Sequence, residues 1–297
     1  MSFSSDVKKE LSSLSVEQPC CRLAEAYGLL LFGKAFSGAS VSLSTENEDV
    51  ARLYARRLSE VCSVTAEVRE QSSQTLLSVK RAADRRAVLD LFGHAPTETT
   101  LRLNRANLAD ECCFPAFLRG TFLSCGTVMS PEKNYHLEFV VPYRRLSNDL
   151  FSFLRELELN PKNVERKGNN VIYFKDSEII EDALTLMGAT SSSLELMGVK
   201  INKDLRNHVN RRVNFETANI GRAVEAGLTQ AAAIEKIRGA TGLDALPPRL
   251  RETAELRLAN PDATLSELEE LCGFAVSKSG INHRLNRLMS IAAAIDN

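Results

Sequence analysis

The stretch CCRLAEAYGLLLFGKAF, residues 20–36, is repeated in pattern by CCFPAFLRGTFLSCGTV, residues 112–128. The copies share an opening cysteine pair and, further on, an alanine, a glycine and a leucine: Cys20/Cys112, Cys21/Cys113, Ala24/Ala116, Gly28/Gly120 and Leu31/Leu123. A glycine inside a helix costs about 1 kcal/mol relative to alanine. Its presence in both copies indicates two helices whose backbones approach closely, and we expect them to form the seam between two related halves.

The segments after each copy repeat one order of helical and strand-like patterns. Alternating polarity predicts strands, and apolar residues spaced near 3.6 predict helices. The first half has expected strands at 41–45, 65–70 and 75–80 and helices at 48–62 and 85–92; the second half has an expected strand at 135–141, a hairpin at 163–175 around Gly168, Asn169 and Asn170, and helices at 146–159 and 178–188. Each half is therefore predicted as α-β-β-α-β-β-α, the product of an internal duplication.

This duplicated α+β pattern resembles the LAGLIDADG homing endonuclease fold. In that family the glycine-bearing helices form the seam, two saddle-shaped sheets grip DNA, and an acidic residue near the end of each helix holds a catalytic metal ion. The matching positions here are Gly33 and Cys125, and neither 26–45 nor 114–131 contains Asp or Glu. Because magnesium requires hard oxygen ligands, we expect a retained fold with no catalytic residues.

The cysteines raise the question of a metal site or disulfides. There are seven, an odd number, and two adjacent pairs, Cys20-Cys21 and Cys112-Cys113, account for four of them. No C-x-x-C motif occurs, and no histidine lies at zinc-ligand spacing from a cysteine pair. We therefore expect buried, reduced thiols at the starts of two helices, with no metal and no cofactor. A metal site made by the two pairs is the alternative.

Length and composition restrict the class of protein. With 297 residues and 44% apolar content, the chain can form two or three small domains with hydrophobic cores. A formal net charge of −1 argues against a uniformly basic nucleic-acid-coating protein. No run of 18 apolar residues occurs, so no membrane span is expected. The first residues, MSFSSDVKKELSSL, predict an amphipathic helix with Val7, Leu11 and Leu14 on one face, and a cytoplasmic protein.

The most basic short stretch of the chain lies between residues 200 and 212. Its basic residues are Lys200, Lys203, Arg206, Arg211 and Arg212, against one acid, Asp204. Two interpretations stay open: a solvated helix face, or a segment that contacts phosphates, because such contacts require only positive charge within reach.

The C-terminal pattern predicts a helix-turn-helix. A helix is expected at 247–259, a second capped by Thr264 with Leu265, Leu268 and Leu271 facing inward, and a third capped by Ser277 that buries Ile281, Leu285 and Leu288. No acid occurs between Glu270 and Asp296. The third helix and its surroundings therefore carry the predicted DNA-binding residues: Thr264, Ser277, Lys278, Ser279, Asn282, His283, Arg284, Asn286 and Arg287.

Three stretches resemble the WhiA family over nearly the whole chain: FLRGTFLSCGTVMSPEKNYHLEF (117–139), NRRVNFETANIGRAVEAG (210–227) and the run from LPPRLRETAELRLANPDATLSELEEL to VSKSGINHRLNRL (246–288). The resemblance implies a cytoplasmic, nucleoid-associated DNA-binding transcription regulator without nuclease activity. It also implies a link to cell division, chromosome segregation and, in sporulating bacteria, sporulation. The C-terminal domain is then expected to resemble region 4 of sigma factors.

The predicted organisation is an N-terminal helix at 1–19, two LAGLIDADG-like halves at 20–95 and 112–190, a basic linker at 191–212 and a helix-turn-helix domain at 213–297. We expect a monomer, because the duplication supplies an internal two-fold. Double-stranded DNA is the expected partner of the C-terminal domain, with transcription machinery or another regulator a candidate partner of the N-terminal domain.

Three functional hypotheses follow from these patterns. The first is a non-enzymatic, sequence-specific DNA-binding regulator. The second is a residual endonuclease in which Glu46, Glu132 or Glu138 replaces the missing metal ligands. The third is a protein-interaction adaptor, which the near-neutral first 190 residues favour because a DNA-gripping saddle is expected to be markedly basic.

Overall fold

The computed structural model describes residues 2–71 and 73–295. Its contacts divide the chain into two compact units, one that ends at Lys203 and one that begins at Asp204. The first unit contains helices and antiparallel sheets, and the second is helical. This confirms the predicted α+β domain followed by an all-α domain. The predicted domains at 1–19 and 213–297 extend past the described residues at Met1 and at 296–297.

The first half of the N-terminal unit has the predicted order of elements. They are α2 (Pro19–Leu31), β1 (Ala35–Phe36), β2 (Val41–Thr45), α3 (Glu48–Cys62), β3 (Glu67–Gln71), β4 (Gln74–Ser78) and α4 (Ala82–Leu91), preceded by α1 (Phe3–Ser13). The strands form one antiparallel sheet in the order β1-β2-β4-β3. Helix α3 begins where the Asn47 side chain accepts a hydrogen bond from the Val50 N–H. The helix predicted at 48–62 is confirmed.

The second half repeats this order. Its elements are α5 (Cys113–Cys125), β5 (Gly126–Val128), β6 (Leu137–Val141), α6 (Arg144–Glu156), β7 (Lys162–Arg166), β8 (Asn169–Phe174) and α7 (Ser177–Met187). The sheet order β5-β6-β8-β7 matches that of the first half. The predicted hairpin is present, but its turn is made by Lys167 (φ +51°) and Gly168 (φ +76°). Asn169 and Asn170 belong to strand β8 instead.

Helices α2 and α5 pack backbone against backbone, as their glycines predict. A Cβ on Gly28 would overlap the Phe117 carbonyl oxygen, and one on Gly120 would overlap the Glu25 carbonyl oxygen. The Ser124 hydroxyl donates to the Leu29 carbonyl oxygen across the same seam at 2.6 Å. One continuous hydrophobic core runs through both halves. The seam therefore joins the duplicated halves into one body.

Helix α1 covers part of this core. Val7 and Leu11 are fully buried, as predicted, and Leu14 just after the helix is partly buried against the same core. The carboxylate of Glu10 accepts hydrogen bonds from the backbone N–H groups of Ser191 and Ser192 at 2.7 and 3.0 Å. The N-terminal helix is thus held by apolar burial on one side and by a charge-assisted cap on the other.

The C-terminal unit is built from helices. They are the C-terminal part of α8 (Thr190–Ala240), α9 (Pro248–Ala259), α10 (Leu265–Leu271) and α11 (Lys278–Ala294), with a short 3-10 turn at Leu243–Ala245. Residues 191–212, which were predicted to form a basic linker, are part of helix α8. A second hydrophobic core contains Ile234 and Ile237 of α8, Leu246, Ala254 of α9, Leu268 of α10, and Ile281, Leu285, Leu288 and Ala292 of α11.

The prediction that Leu265, Leu268 and Leu271 all face this core is wrong at Leu271. Leu268 is fully buried, Leu265 is partly buried, and Leu271 is 55% exposed. Steps of three residues rotate around a helix by about 300°, so the three side chains spread over about 120°. The middle leucine therefore takes the buried position.

Among residues 2–71 and 73–295, no helix is both long and apolar enough to cross a membrane.

Candidate nucleic-acid interface

Helix α11 is held by its apolar face. Ile281, Leu285 and Leu288, as predicted, are buried in the core of the C-terminal unit together with Ala254 of α9 and Leu268 of α10. These residues follow a spacing of four and three along α11, so they form one stripe. The stripe fixes which side of the helix faces solvent.

The opposite face of α11 is exposed and carries only neutral polar and basic side chains. Ser279, Asn282, His283, Asn286 and Arg287 are all exposed. Asn can bind an adenine edge through two hydrogen bonds, Arg can bind a guanine edge in the same way, and Ser can bind a phosphate or a base. The sequence predicted this face correctly as the solvent side. The arrangement can contact bases in a groove without a carboxylate on the same helix that would repel phosphate.

Two caps set the entry into α10 and α11. The Thr264 hydroxyl accepts from the Glu267 N–H at 3.3 Å, while the Thr264 N–H donates to the Glu267 carboxylate at 2.6 Å. This reciprocal pair is the predicted capping box, and the bonds from Thr264 hold the pKa of Glu267 below its usual range. The Ser277 hydroxyl likewise accepts from the Gly280 N–H at 3.3 Å. Thr264 and Ser277 therefore have structural roles in addition to any contact with DNA.

Lys278 joins the start of α11 to α10. Its backbone N–H donates to Glu269 Oε1 at 3.0 Å, and its Nζ donates to the Ser266 hydroxyl at 3.1 Å. The turn between the helices contains Gly273 and Phe274, both with φ near +60° (63° and 58°), a conformation that glycine adopts at little cost. These contacts fix the angle between the two helices of the motif.

Arg284 differs from the other predicted contact residues. It is partly buried, and its guanidinium donates to the Arg249 carbonyl oxygen and to the Thr253 hydroxyl of α9, each at 3.3 Å. The side chain thus links α11 to α9. On a helical wheel Arg284 lies at the flank, and the wheel alone gives no indication of the groups on α9 that bind it.

Arg257 is a positioning residue that the sequence did not single out. It is 2% exposed, and its guanidinium donates to the carbonyl oxygens of Asn260 and Ala263 at 3.2 and 2.6 Å. Burial lowers its pKa from the usual value, partly offset by Asp262. Arg257 therefore fixes the loop between α9 and α10. The sequence indicates this positioning role only through the location of an arginine shortly before the Asn260-Pro261-Asp262 turn.

The basic residues at 200–212 are not equivalent. Lys200 Nζ donates to Glu178 at 3.2 Å, Lys203 Nζ donates to the Pro131 carbonyl oxygen at 2.5 Å, and Arg212 Nε donates to Glu216 at 3.0 Å. Arg206 and Arg211 are exposed on α8. Three of the five predicted phosphate contacts therefore already bind groups of this chain.

Gly33 and Cys125 occupy the positions that correspond to the nuclease metal ligands. A Cβ on Gly33 would lie 2.7 Å from the Ser42 carbonyl oxygen, so a larger residue requires the strand to move. Cys125 at the end of α5 donates to the Thr121 carbonyl oxygen at 3.4 Å, and burial raises its pKa to about 12. Neither position offers an oxygen ligand for a hard cation.

The alternative acids of the endonuclease hypothesis lie at different sites. Glu46 lines a cavity with Lys8, Ser124 and Thr127, whereas Glu138 lines another cavity and binds His136 at 2.9 Å. Glu132 is exposed in the turn after β5. In the part of the chain that the structure describes, the one group of three or more His, Cys, Asp or Glu side chains close enough to share a metal ion is a cluster of cysteines.

That cluster is made by the two repeated pairs, Cys20-Cys21 and Cys112-Cys113. Cys113 and Cys21 are buried, Cys20 is partly buried, and Cys112 is exposed. The prediction of two buried helix starts is therefore wrong at Cys112 and incomplete at Cys20. Cys112 precedes the first residue of α5, so its side chain lies at the helix end rather than inside the seam.

Comparison with known proteins gives two family matches along this chain. Residues 114–206 match the WhiA LAGLIDADG-like domain, and residues 209–292 match the WhiA C-terminal HTH domain. The probable cell division protein WhiA of Alkaliphilus metalliredigens is 37% identical over 98% of this chain and 98% of its own length. This chain belongs to the WhiA family. The probable cell division protein WhiA of Alkaliphilus oremlandii is 38% identical over 99% of this chain and 98% of its own length.

The fold of this chain is also matched by a solved structure. The full-length DUF199/WhiA from Thermatoga maritima aligns with a TM-score of 0.62 and 23% identity, over 99% of both chains. Together with the two family matches, this similarity confirms the two predicted domains, an α+β LAGLIDADG-like domain and a helix-turn-helix domain. All nine residues predicted to contact DNA, from Thr264 to Arg287, fall inside the matched WhiA HTH domain.

Proposed function

We propose that this protein is a non-enzymatic, sequence-specific DNA-binding protein that regulates transcription and reads its sites with helix α11. The observation that carries the proposal is the exposed face of α11, where Asn282, His283, Asn286 and Arg287 occur in a segment without Asp or Glu. A solvated helix face normally mixes both charge signs, whereas a helix that enters a groove must avoid carboxylates beside phosphates.

The proposed roles of the predicted residues now differ. Asn282, His283, Asn286 and Arg287 are the proposed base contacts, and Ser277, Lys278 and Ser279 at the helix start are proposed phosphate contacts. Arg284 and Thr264 chiefly position α11 and α10, because their polar groups already have partners and, unlike Ser277 and Lys278, both residues are partly buried. Arg206 and Arg211, exposed on α8, are the proposed additional phosphate contacts.

The biological process is proposed from the family. The matched relatives are named probable cell division proteins, and we place this protein's regulatory role in cell division, chromosome segregation and, where the host sporulates, sporulation. The protein is proposed to act in the cytoplasm on the nucleoid as a monomer. The internal two-fold of the duplicated domain supports the monomer, because it supplies within one chain the seam that a homodimer would otherwise form.

The absence of nuclease activity is part of the same proposal. Catalysis by a divalent cation on phosphates requires at least one well-placed carboxylate, and Gly33 and Cys125 supply none. Incubation of supercoiled plasmid with the pure protein and magnesium is expected to leave the plasmid intact. Magnesium-dependent nicking that survives removal of contaminating nucleases would contradict this part.

A protein partner for the N-terminal sheets is a second proposal. Strands β3 and β7 carry acids and bases together, and Glu67 is paired with Arg69 and Lys80 at 3.4 and 3.5 Å. A surface that grips DNA is expected to be uniformly basic. This surface of mixed charge is suited to binding a protein partner, such as a component of the transcription machinery or another regulator.

Genome-wide footprinting of the intact protein tests the proposed function. A shared sequence motif among the protected sites, and binding of that motif in vitro with affinity that falls steeply with salt, is the expected result. Protection without any shared motif would show a non-specific DNA-binding protein instead, and no protection would favour an adaptor.

A further inference from the structure

Four sulfur atoms converge at the open end of the seam between the two halves. The Sγ atoms of Cys20, Cys21, Cys112 and Cys113 all lie within 4.8 Å of one another. Cys20 Sγ lies 3.8 Å from Cys112 Sγ and 4.0 Å from Cys21 Sγ. A tetrahedral zinc site with Zn–S bonds of about 2.3 Å has sulfur–sulfur edges of about 3.8 Å. The cluster therefore already has nearly the dimensions of such a site.

The duplicated fold explains why the sulfurs meet. Helix α2 begins at Pro19, directly before the first cysteine pair, and α5 begins at Cys113, within the second pair. Close packing of the two helices at Gly28 and Gly120 keeps their starts side by side. The ligands thus come in equal numbers from the two halves, across the internal two-fold.

The electrostatics of the cluster favour a bound cation. Both cysteine pairs lie at the N-termini of 13-residue helices, where the helix dipole favours thiolates. Four adjacent thiolates would repel one another, and a divalent cation held between them would neutralise that charge.

Gln18 lies in position to support the bound state. Its side-chain oxygen accepts from Cys21 Sγ at 3.5 Å and from Cys20 Sγ at 3.7 Å. Rotation of the amide by a half-turn would present its NH2 group to the same sulfurs as a donor. Hydrogen bonds to ligand atoms from residues outside the coordination sphere tune and orient metal sites.

We propose that Cys20, Cys21, Cys112 and Cys113 form a structural, four-thiolate binding site for a tetrahedral divalent metal ion, with Zn²⁺ as the ion that this ligand set fits best. Four thiolates with no open position are typical of structural zinc sites. The bound ion would cross-link the starts of α2 and α5, and with them the two halves of the N-terminal unit. This site is independent of the DNA-binding function proposed above.

A disulfide between Cys20 and Cys112 is the competing chemistry. A sulfur–sulfur bond of about 2.05 Å would use two of the four side chains. A disulfide would not explain why the sulfur atoms of Cys21 and Cys113, both buried, lie beside those of Cys20 and Cys112. A metal ion uses all four sulfurs, and this difference decides between the two.

Metal titration of the intact, reduced protein tests the site. We expect one Zn²⁺ per chain after removal of free metal. Substitution with Co²⁺ should give the strong visible and charge-transfer absorption of tetrahedral thiolate coordination. Cys20→Ser and Cys112→Ser should each weaken zinc binding by at least about tenfold, because loss of a ligand should lower the affinity at least as much as loss of a residue that hydrogen-bonds to a ligand. Competition with a coloured chelator measures the affinity. Cys62→Ser and Cys272→Ser, outside the cluster, should bind zinc like the parent.

Alkylation of the unmodified protein provides a test that does not depend on any variant. With zinc present, the four cluster cysteines should resist alkylation, including exposed Cys112, and a chelator should make Cys112 react first. The proposal is overturned if the reduced protein binds no zinc or cobalt. It is also overturned if Cys112 reacts equally with and without zinc, if cobalt gives an octahedral spectrum, or if the Cys20→Ser/Cys112→Ser double variant keeps the parent's affinity. A Cys20–Cys112 disulfide in the freshly purified protein in place of metal would overturn it as well.

Discussion

Arg119 on helix α5 donates from its Nε to Glu25 on helix α2 at 2.6 Å, directly across the seam between the two halves. Glu25 is 1% exposed and also accepts from Arg57 Nε at 2.5 Å, so one buried carboxylate binds two buried guanidinium groups. Arg119 Nη1 donates to the carbonyl oxygen of Met187, the last residue of α7, at 3.0 Å. The ionic contact thus connects four helices of the duplicated domain.

Glu25→Gln is expected to destabilise the N-terminal unit. Removal of the carboxylate charge leaves Arg119 buried without a counter-ion and leaves Arg57 with only the partly exposed Glu60 as its acidic partner. Loss of one partner costs about 3–5 kcal/mol in comparable buried pairs. Chemical denaturation followed by circular dichroism measures the change. Glu48→Gln, which breaks the exposed pair with Arg52, is the matched control and should change stability by less than about 0.5 kcal/mol. Equal effects of the two substitutions would show that the buried contact has no special role.

Gly120→Ala is expected to destabilise the seam, because its new Cβ would overlap the Glu25 carbonyl oxygen, a backbone atom that cannot move by itself. Overpacking of this kind costs about 1–3 kcal/mol. Gly221→Ala is the matched control, since Gly221 lies inside helix α8 with no atom within 4 Å of the added Cβ. The control should stabilise the protein slightly, by up to about 1 kcal/mol. Thermal denaturation of both variants checks the prediction, which fails if Gly120→Ala is as stable as the parent.

Glu10 is expected to make the attachment of α1 depend on pH. Although burial acts to raise its pKa, hydrogen bonds from Ser192 and Ser191 prevail and hold the pKa of Glu10 below its usual range. A carboxyl whose pKa is lowered on folding stabilises the protein above its unfolded pKa, about 4.3, and the contribution is lost as pH falls through the folded pKa.

The Glu10→Gln variant isolates this contribution. The variant should be less stable than the parent at neutral pH, and the difference should shrink as pH falls below about 4. Thermal denaturation at a series of pH values measures it, with Glu48→Gln as an exposed control. A stability difference between Glu10→Gln and parent that stays constant down to pH 2 would contradict the assignment.

Arg284 and Arg287 are expected to give opposite phenotypes. Arg284→Ala removes the bonds to Arg249 and Thr253 and should lower stability by about 1–3 kcal/mol. Arg287→Ala removes an exposed side chain and should leave stability within about 0.5 kcal/mol while it weakens specific DNA binding. Denaturation and DNA-binding titrations on the same preparations separate the two effects. The assignment is wrong if Arg287→Ala unfolds the C-terminal unit or if Arg284→Ala leaves stability unchanged.

Local rules accounted for much of the fold. The helix at 48–62 and the strand at 41–45 were predicted to the residue, because Asn47 provides a cap and the apolar spacing of each segment is unambiguous. The caps at Thr264 and Ser277 were equally predictable. The glycine pair predicted close helix packing because its pattern recurs in both copies.

The features that the sequence could not reveal depend on contacts between residues that are distant in the sequence. Arg284 turns to α9 and Lys203 to the Pro131 carbonyl oxygen, and neither partner is near in sequence. The cysteine pairs match no zinc motif, because such motifs place ligands within one loop, whereas the seam brings these four sulfur atoms together from two helices. Glu25 precedes residues 26–45, the segment that holds the family's acidic position, and its role depends on Arg119 from the other half.

The most direct test of the account is the affinity of the intact protein for a footprinted site and for unrelated DNA of equal length. The His283→Ala/Arg287→Ala double variant should bind the specific site at least about 30-fold more weakly, at about 1–3 kcal/mol for each of the two base contacts, and its affinity for unrelated DNA should fall much less. The His208→Ala/Arg238→Ala control, which loses the same residue types from exposed positions of α8, should keep the parent's ratio of specific to non-specific affinity. An unchanged ratio in the His283→Ala/Arg287→Ala variant would show that helix α11 does not read the sequence.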